Sequence, residues 1–334
     1  MSQEVFIVLE TIVMLFLVIL SGLFLRKGKV LDKNSTTRLS KFVVDVAFPA
    51  LVFTSMLESI DPQILAQSWY FPLAGIAILI LSMIVAYILT PLFKIDTYPQ
   101  RGSAAFSMGT PNWLFIPLPV AAALYGARGE TIVLLVNAGA LVAFWSVGVW
   151  MVRGYKPDLA MLRSIVLNPG LAATVLGIVV ALVFPGAEVL LDPDVTDLTV
   201  FTGILSVVVQ AIEFLGDVTV PLSMVVTGAL LGGAGTKNLF GRGIIVISIF
   251  RLLLFPAVLI GLFYGASVFG LHFDRAVSMT LIIISAMPIA VTCSVVAEKY
   301  EGDEALVSKG IFITTLMSVL TVPLVVLLVQ FLGL

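Results

Sequence analysis

The sequence predicts an all-α integral membrane protein: ten transmembrane helices forming two inverted five-helix repeats, with helices four and nine broken where they cross. Three observations predict it. Only 18 basic and 20 acidic residues occur among 334, or 11% charged, while 60% are hydrophobic and mean hydropathy is +1.15; soluble domains carry about 25% charge. Ten apolar runs reach the roughly 20 residues that a spanning helix needs. Basic residues alternate between successive connectors, fifteen on one side and two on the other. A surface with so little charge faces lipid.

Composition also excludes several functions. A net charge of −2 lacks the basic excess that nucleic-acid binding requires. A single cysteine, Cys293, forbids an internal disulfide, and with the single histidine, His272, it excludes the usual Cys/His zinc sites. Neither a metal site nor a cofactor is expected. Cys293 reads as a small buried hydrophobe.

The elements follow in order. Val5–Leu25 lacks the basic start of a secretory signal and carries Glu4 and Glu10 beside or within it, so it reads as a retained first helix. Thr37–Leu57, the second, holds Asp45 and Pro49. Glu58–Gln67 reads as an interfacial helix, and Trp69 and Tyr70 anchor the head of the third span, Trp69–Phe93. Gly102–Gly126 and Thr131–Val152 are the fourth and fifth. After the short connector come Ile165–Phe184, an acidic connector (Glu188, Asp192, Asp194, Asp197), and Thr199–Leu231, which carries Glu213, Asp217 and Pro221. Gly243–Tyr264 holds Arg251, the one clear intramembrane cation; Val277–Ala297 and Leu306–Leu332 complete the set. The positive-inside rule places the basic connectors in the cytoplasm and both termini outside the cell (inner) membrane.

Ten spans divide into five and five, and a unit with an odd number of spans reinserts upside down when repeated. Residues 1–153 and 165–334 are the two units, joined by a cytoplasmic linker at 154–164. Asp45-Val46-x-x-Pro49 returns as Asp217-Val218-x-x-Pro221, Arg101 returns as Arg275, and Glu130 as Glu304, at nearly one offset.

The fourth span places Gly109, Pro111, Pro117 and Pro119 within eleven residues. Each interior proline removes a donor and clashes with the preceding turn, at ~3 kcal/mol in a soluble helix. Backbone groups freed at mid-membrane must line protein or a water cavity. Asn112 sits at the break beside Pro111 and Trp113; Pro288, followed by Thr292, marks the corresponding break in the ninth span. Two half-helices starting near the midplane aim N–H groups at one point and favour an anion, most simply a carboxylate. The competing reading is a pair of proline-kinked helices packed for shape alone. Asn137, Thr314 and Ser318 either complete the polar lining or bond helices together. Arg251 is open between serving the anion, replacing a bound cation and a structural ion pair. Asp45, Glu213 and Asp217 are membrane acids open between ion coupling and packing.

These residues resemble the auxin efflux carrier family from end to end. The matching motifs are Gly22-x-x-x-Arg26-x-Gly28-x-Val30-x-Asp32, Phe48-Pro49-Ala50-Leu51-Val52-Phe53, Asn112 with Pro119, and Leu215-Gly216-Asp217 with Pro221-Leu222 and Gly228. Arg251 with Pro256, Ala286-Met287-Pro288 with Ala297-Glu298-Lys299-Tyr300, and Thr321-x-Pro323 continue the series. The resemblance implies the fold of bile-acid sodium symporters. Helices one, two, six and seven would be a scaffold, helices three to five and eight to ten would be a transport domain moving as an elevator, and the carrier would be a homodimer. Pro117 departs from the family's usual glycine, and Thr292 from the asparagine of many bacterial members, leaving the second amide of the site unassigned. The short linker matches a prokaryotic carrier.

The leading function is therefore secondary transport of an organic anion, with malate-like dicarboxylates, malonate and indole or other aromatic carboxylates all open. Coupling to H+, coupling to Na+ and uniport also stay open. An intramembrane aspartyl protease using Asp45 and Asp217 is a rival class, but Phe214 stands where a Gly-x-Gly-Asp motif needs glycine. An anion channel lacks a repeated selectivity ring.

Overall fold

The computed structural model describes residues 3–60, 62–95, 97–154, 163, 167–192, 200–233 and 239–334. Of the expected linker at 154–164 only Gly154 and Arg163 are among them, and Asp194 and Asp197 of the acidic connector lie outside them. Every regular element in the described residues is helical. The first half comprises α1 (Gln3–Lys27), α2 (Lys33–Phe42), α3 (Phe48–Ser59), α4 (Pro62–Ser68), α5 (Phe71–Leu89), α6 (Gln100–Gly109), α7 (Pro117–Ala143) and α8 (Val149–Val152). The second comprises α9 (Pro169–Val183), α10 (Val200–Asp217), α11 (Thr219–Gly233), α12 (Arg242–Ile249), α13 (Phe255–Val268), α14 (Arg275–Ala286), α15 (Thr292–Lys299) and α16 (Glu304–Phe331).

Among the described residues, seven helical stretches are long and apolar enough to cross a membrane, and α9 and α14 are shorter apolar helices. The ten expected spans are thus not ten uninterrupted helices. The fourth is split between α6 and the start of α7, and the ninth between α14 and α15. The fifth continues from the fourth within α7, separated from it by Gly126 at φ 58°, ψ −147°. The sixth is described only from Leu167 onward, apart from Arg163. The segment expected to lie at the interface overlaps α4, a separate short helix, and begins in the last turn of α3.

Two prolines explain local widening. Just before Pro49 the Phe48 N–H reaches back to the Val43 carbonyl, and just before Pro256 the Phe255 N–H reaches the Phe250 carbonyl. Each is a π turn, which inserts one residue where proline cannot accept a regular α-helical register. Asp45 and Arg251 lie within these two turns.

Glycines set the closest helix packing. A Cβ at Gly22 of α1 would lie 2.0 Å from the Val225 carbonyl oxygen, and one at Gly228 of α11 would lie 1.8 Å from that of Ile19. Gly75 of α5 and Gly139 of α7 make the same kind of approach, at 2.1 Å and 1.8 Å. Without a hydrophobic drive between helices in lipid, such backbone contact supplies the packing energy. α3 packs on both α9 and α10, while α2 packs on α11.

Candidate functional site

The two broken stretches meet in the protein interior. Pro111 and Ile289 form an isolated antiparallel bridge. The Asn112 N–H donates to the Pro288 carbonyl at 2.6 Å, and the Ala290 N–H donates to the Thr110 carbonyl at 3.1 Å. The Ile289 N–H finds the Thr314 hydroxyl at 3.2 Å. Backbone groups released by the prolines are therefore paired across the crossing, as membrane depth demands. Pro117 occupies the first turn of α7, where a missing N–H costs nothing and the fixed φ suits a helix start. The departure from glycine is accommodated.

An open cavity of about 920 Å³, counting its mouth, lies against this crossing. One wall comes from Asn112, Trp113, Phe115, Asn137, Phe144, Trp145 and Thr292; the other from Ser40, Val43, Phe48, Asn168, Ser223 and Thr227. Phe48 and Phe115 meet edge to face across it, with centroids 6.2 Å apart. None of the lining residues is charged.

Three asparagines on these walls share one arrangement. The Asn112 Oδ1 accepts the Phe115 N–H at 3.2 Å. The Asn137 Oδ1 accepts the Trp113 indole N–H at 2.7 Å. The Asn168 Oδ1 accepts the Leu171 N–H at 3.0 Å, capping α9. Each partner can only donate, so each amide must turn its oxygen toward the protein. Their NH2 groups are the ends left over. That of Asn137 is buried with no partner, on a residue only 1% exposed. The start of α15 lies on the same wall without a side-chain cap, so its dipole adds positive potential.

Of the residues expected at the site, Asn112, Trp113, Asn137 and Thr292 line the cavity, whereas Pro111, Pro288 and Ser318 do not. Pro111 and Pro288 shape the crossing instead, and the Ser318 hydroxyl donates to the Thr315 carbonyl at 2.7 Å. Asp45 and Asp217 are exposed on the protein's flank and Glu213 is half-buried; none lines the cavity. Among the described residues no group of three or more His, Cys, Asp or Glu is placed to hold a metal.

Arg251 is fully buried, outside the cavity, and forms no ion pair among the described residues. Its guanidinium donates to the Met108 carbonyl at 2.8 Å, to the Ser82 hydroxyl at 3.3 Å and to the Ser285 carbonyl. Met108 and Ser285 belong to the last turns of α6 and α14.

Sequence reasoning missed Asn168. Its signal was present: Asn-Pro at the head of an apolar run is a helix N-cap signature. Beside the Thr292 hydroxyl, Asn137 and Asn168 place two further side-chain amides on the cavity walls.

Two archaeal proteins are similar along nearly their whole length. An uncharacterized transporter of Methanocaldococcus jannaschii is 26% identical over 319 residues, 95% of this chain and 97% of its own. An uncharacterized transporter of Methanothermobacter thermautotrophicus is 26% identical over 317 residues, 94% of this chain and 96% of its own. Both are described as transporters rather than enzymes. The family model described as "Membrane transport protein" matches residues 7–326. The chain belongs to this family of membrane transporters, the auxin efflux carriers.

Proposed function

We propose that the protein is a secondary carrier of an organic monocarboxylate with an apolar, most simply aromatic, body. The observation that carries this is the set of three amides whose oxygens are already engaged by the protein, leaving NH2 donors at one cavity. A carboxylate is the acceptor that such donors suit, and charge-assisted bonds of this kind are the stronger ones. Most of the remaining lining is Trp, Phe, Leu, Val and Ala, with the hydroxyls of Ser40, Ser223, Thr227 and Thr292 among them, which suits a ring or chain. A malate-like dicarboxylate or malonate would press a second charge against those walls with no cation to meet it, a costly burial.

The transport mechanism proposed is an elevator. One cavity wall comes from the expected scaffold helices and the other from the expected moving helices, so relative movement carries the occupant with it. Support for the inverted repeat comes from the antiparallel pairing of the second and seventh spans, α2 on α11 and α3 on α10. Homodimerisation through the scaffold, a cell-membrane location and outside termini complete the proposal.

The test is a thermal-shift screen of phenylacetate, indole-3-acetate, malate and malonate on the purified protein, followed by counterflow in proteoliposomes. Ligands that bind the native state raise apparent stability. Stabilisation and counterflow by the aromatic monocarboxylates alone are expected. Stabilisation by malate or malonate alone would reject the monocarboxylate assignment, and flux without counterflow would indicate a channel.

A further inference from the structure

Arg251 is the largest fully buried side chain among the described residues, and its surroundings are unusual for a cation. Among the described residues its hydrogen-bond partners are neutral oxygens, the Met108 and Ser285 carbonyls and the Ser82 hydroxyl, and its Cζ lies 5.0 Å from the centre of the Phe255 ring. The carbonyls are free for a definite reason. In an unbroken helix Met108 would accept from the Asn112 N–H and Ser285 from the Ile289 N–H. The first of these donors is diverted to Pro288 and the second to Thr314. Two helix C-termini, each the negative end of a dipole, are thereby brought to one point at the crossing. Converging half-helix C-termini with unpaired carbonyls are also what ion-coupled carriers use to coordinate a monovalent cation.

We infer that Arg251 is the resident cation of the crossing. It fills the position a coupling ion would otherwise take and ties α6 to α14. The substrate-coupling part of this inference rests on the carrier reading above; the positioning part does not. The planar guanidinium spans both carbonyls from one residue, which a compact, strongly hydrated ammonium does less well. Arg251 is a positioning residue: it holds the ends of the half-helices so that Asn112, four residues beyond Met108, keeps its place at the cavity.

The test measures thermal unfolding of the ligand-free protein in sodium, potassium and choline chloride at equal ionic strength. The parent is expected to melt identically in all three salts. Arg251→Ala vacates the carbonyls and should melt lower in choline, with part of the loss recovered by sodium. Arg251→Lys, which keeps the charge, should stay indifferent to the salt. A sodium-dependent rise in the parent would overturn the inference, and so would a folded Arg251→Ala that melts like the parent in every salt. If Arg251→Ala does not fold, the parent and the lysine variant decide: identical melting of each in all three salts supports the inference, and sodium dependence in either overturns it. Failure of every organic acid to bind would reject the monocarboxylate reading while leaving these unliganded measurements intact.

Discussion

Asn137→Asp isolates the donor that the proposed site depends on. The substitution keeps side-chain volume and retains an oxygen to accept the Trp113 indole N–H, now at 2.7 Å. What changes is the Nδ2 end, which is buried and without a partner. Losing a hydrogen bond to a charged ligand costs ~1.5–3 kcal/mol, roughly 10- to 150-fold in affinity. If the introduced acid stays ionised, repulsion at ~4 Å adds about 4 kcal/mol at an effective dielectric of 20. Isothermal titration with phenylacetate should therefore show at least the tenfold loss, partly reversed at low pH as the acid regains a donor hydrogen. Asn137→Leu should lose affinity too and also melt lower, because it strands the buried indole N–H at ~1–3 kcal/mol. Trp113→Phe keeps the amide but removes what orients it, so its affinity loss should be the smaller. Unchanged phenylacetate affinity in a folded Asn137→Asp would refute the donor arrangement.

Further expectations concern the crossing, packing, orientation and movement. Asn112→Ala should nearly abolish transport at low substrate concentration while the extracted protein stays monodisperse by gel filtration. Thr314→Val leaves the buried Ile289 N–H unpaired and should lower stability by ~1–3 kcal/mol, read from the shift in melting temperature. Gly228→Leu drives a side chain into the Ile19 backbone, 1.8 Å from where its Cβ would sit; with ~1–3 kcal/mol typical of overpacking, the melting temperature should fall. Cysteines replacing Lys27 and Arg242, in a Cys293→Ala background, should resist an impermeant maleimide added outside, while one replacing Asp192 should label; the reverse pattern would invert the topology. Cross-linking α1 to α14 in place of the Glu4–Arg275 pair, whose closest approach is 2.8 Å, should stop elevator transport, and full activity in the cross-linked protein would count against that movement.

How much of the site was legible depended on the range of the force that placed each residue. Proline acts on its own helix whatever surrounds it, so the breaks at Pro111 and Pro288 could be read directly, and with them the position of Asn112. Asn137 could be named only as a polar residue of an apolar run, because Asn137 meets Trp113 across 24 residues of chain. Arg251 could be recognised as a buried cation, but an acid was only one of its open partners. The carbonyls it binds lie 143 and 34 residues away, and nothing local announces that their own donors are diverted. Asn168 carried a cap signature, yet its facing the cavity depends on how α9 meets the crossing.

The sequence by itself determined that the chain lives in lipid, which stretches are apolar and helical, where two of them break and, through motif order, which family it belongs to. These follow from the transfer of apolar side chains and the fixed geometry of proline, both properties of a residue and its near neighbours. Tertiary structure alone decided which amides turn their oxygens inward, which walls line the cavity and which oxygens receive Arg251. Those outcomes require donors and acceptors from distant segments to meet, and in a medium without water each buried group must find its partner in the fold.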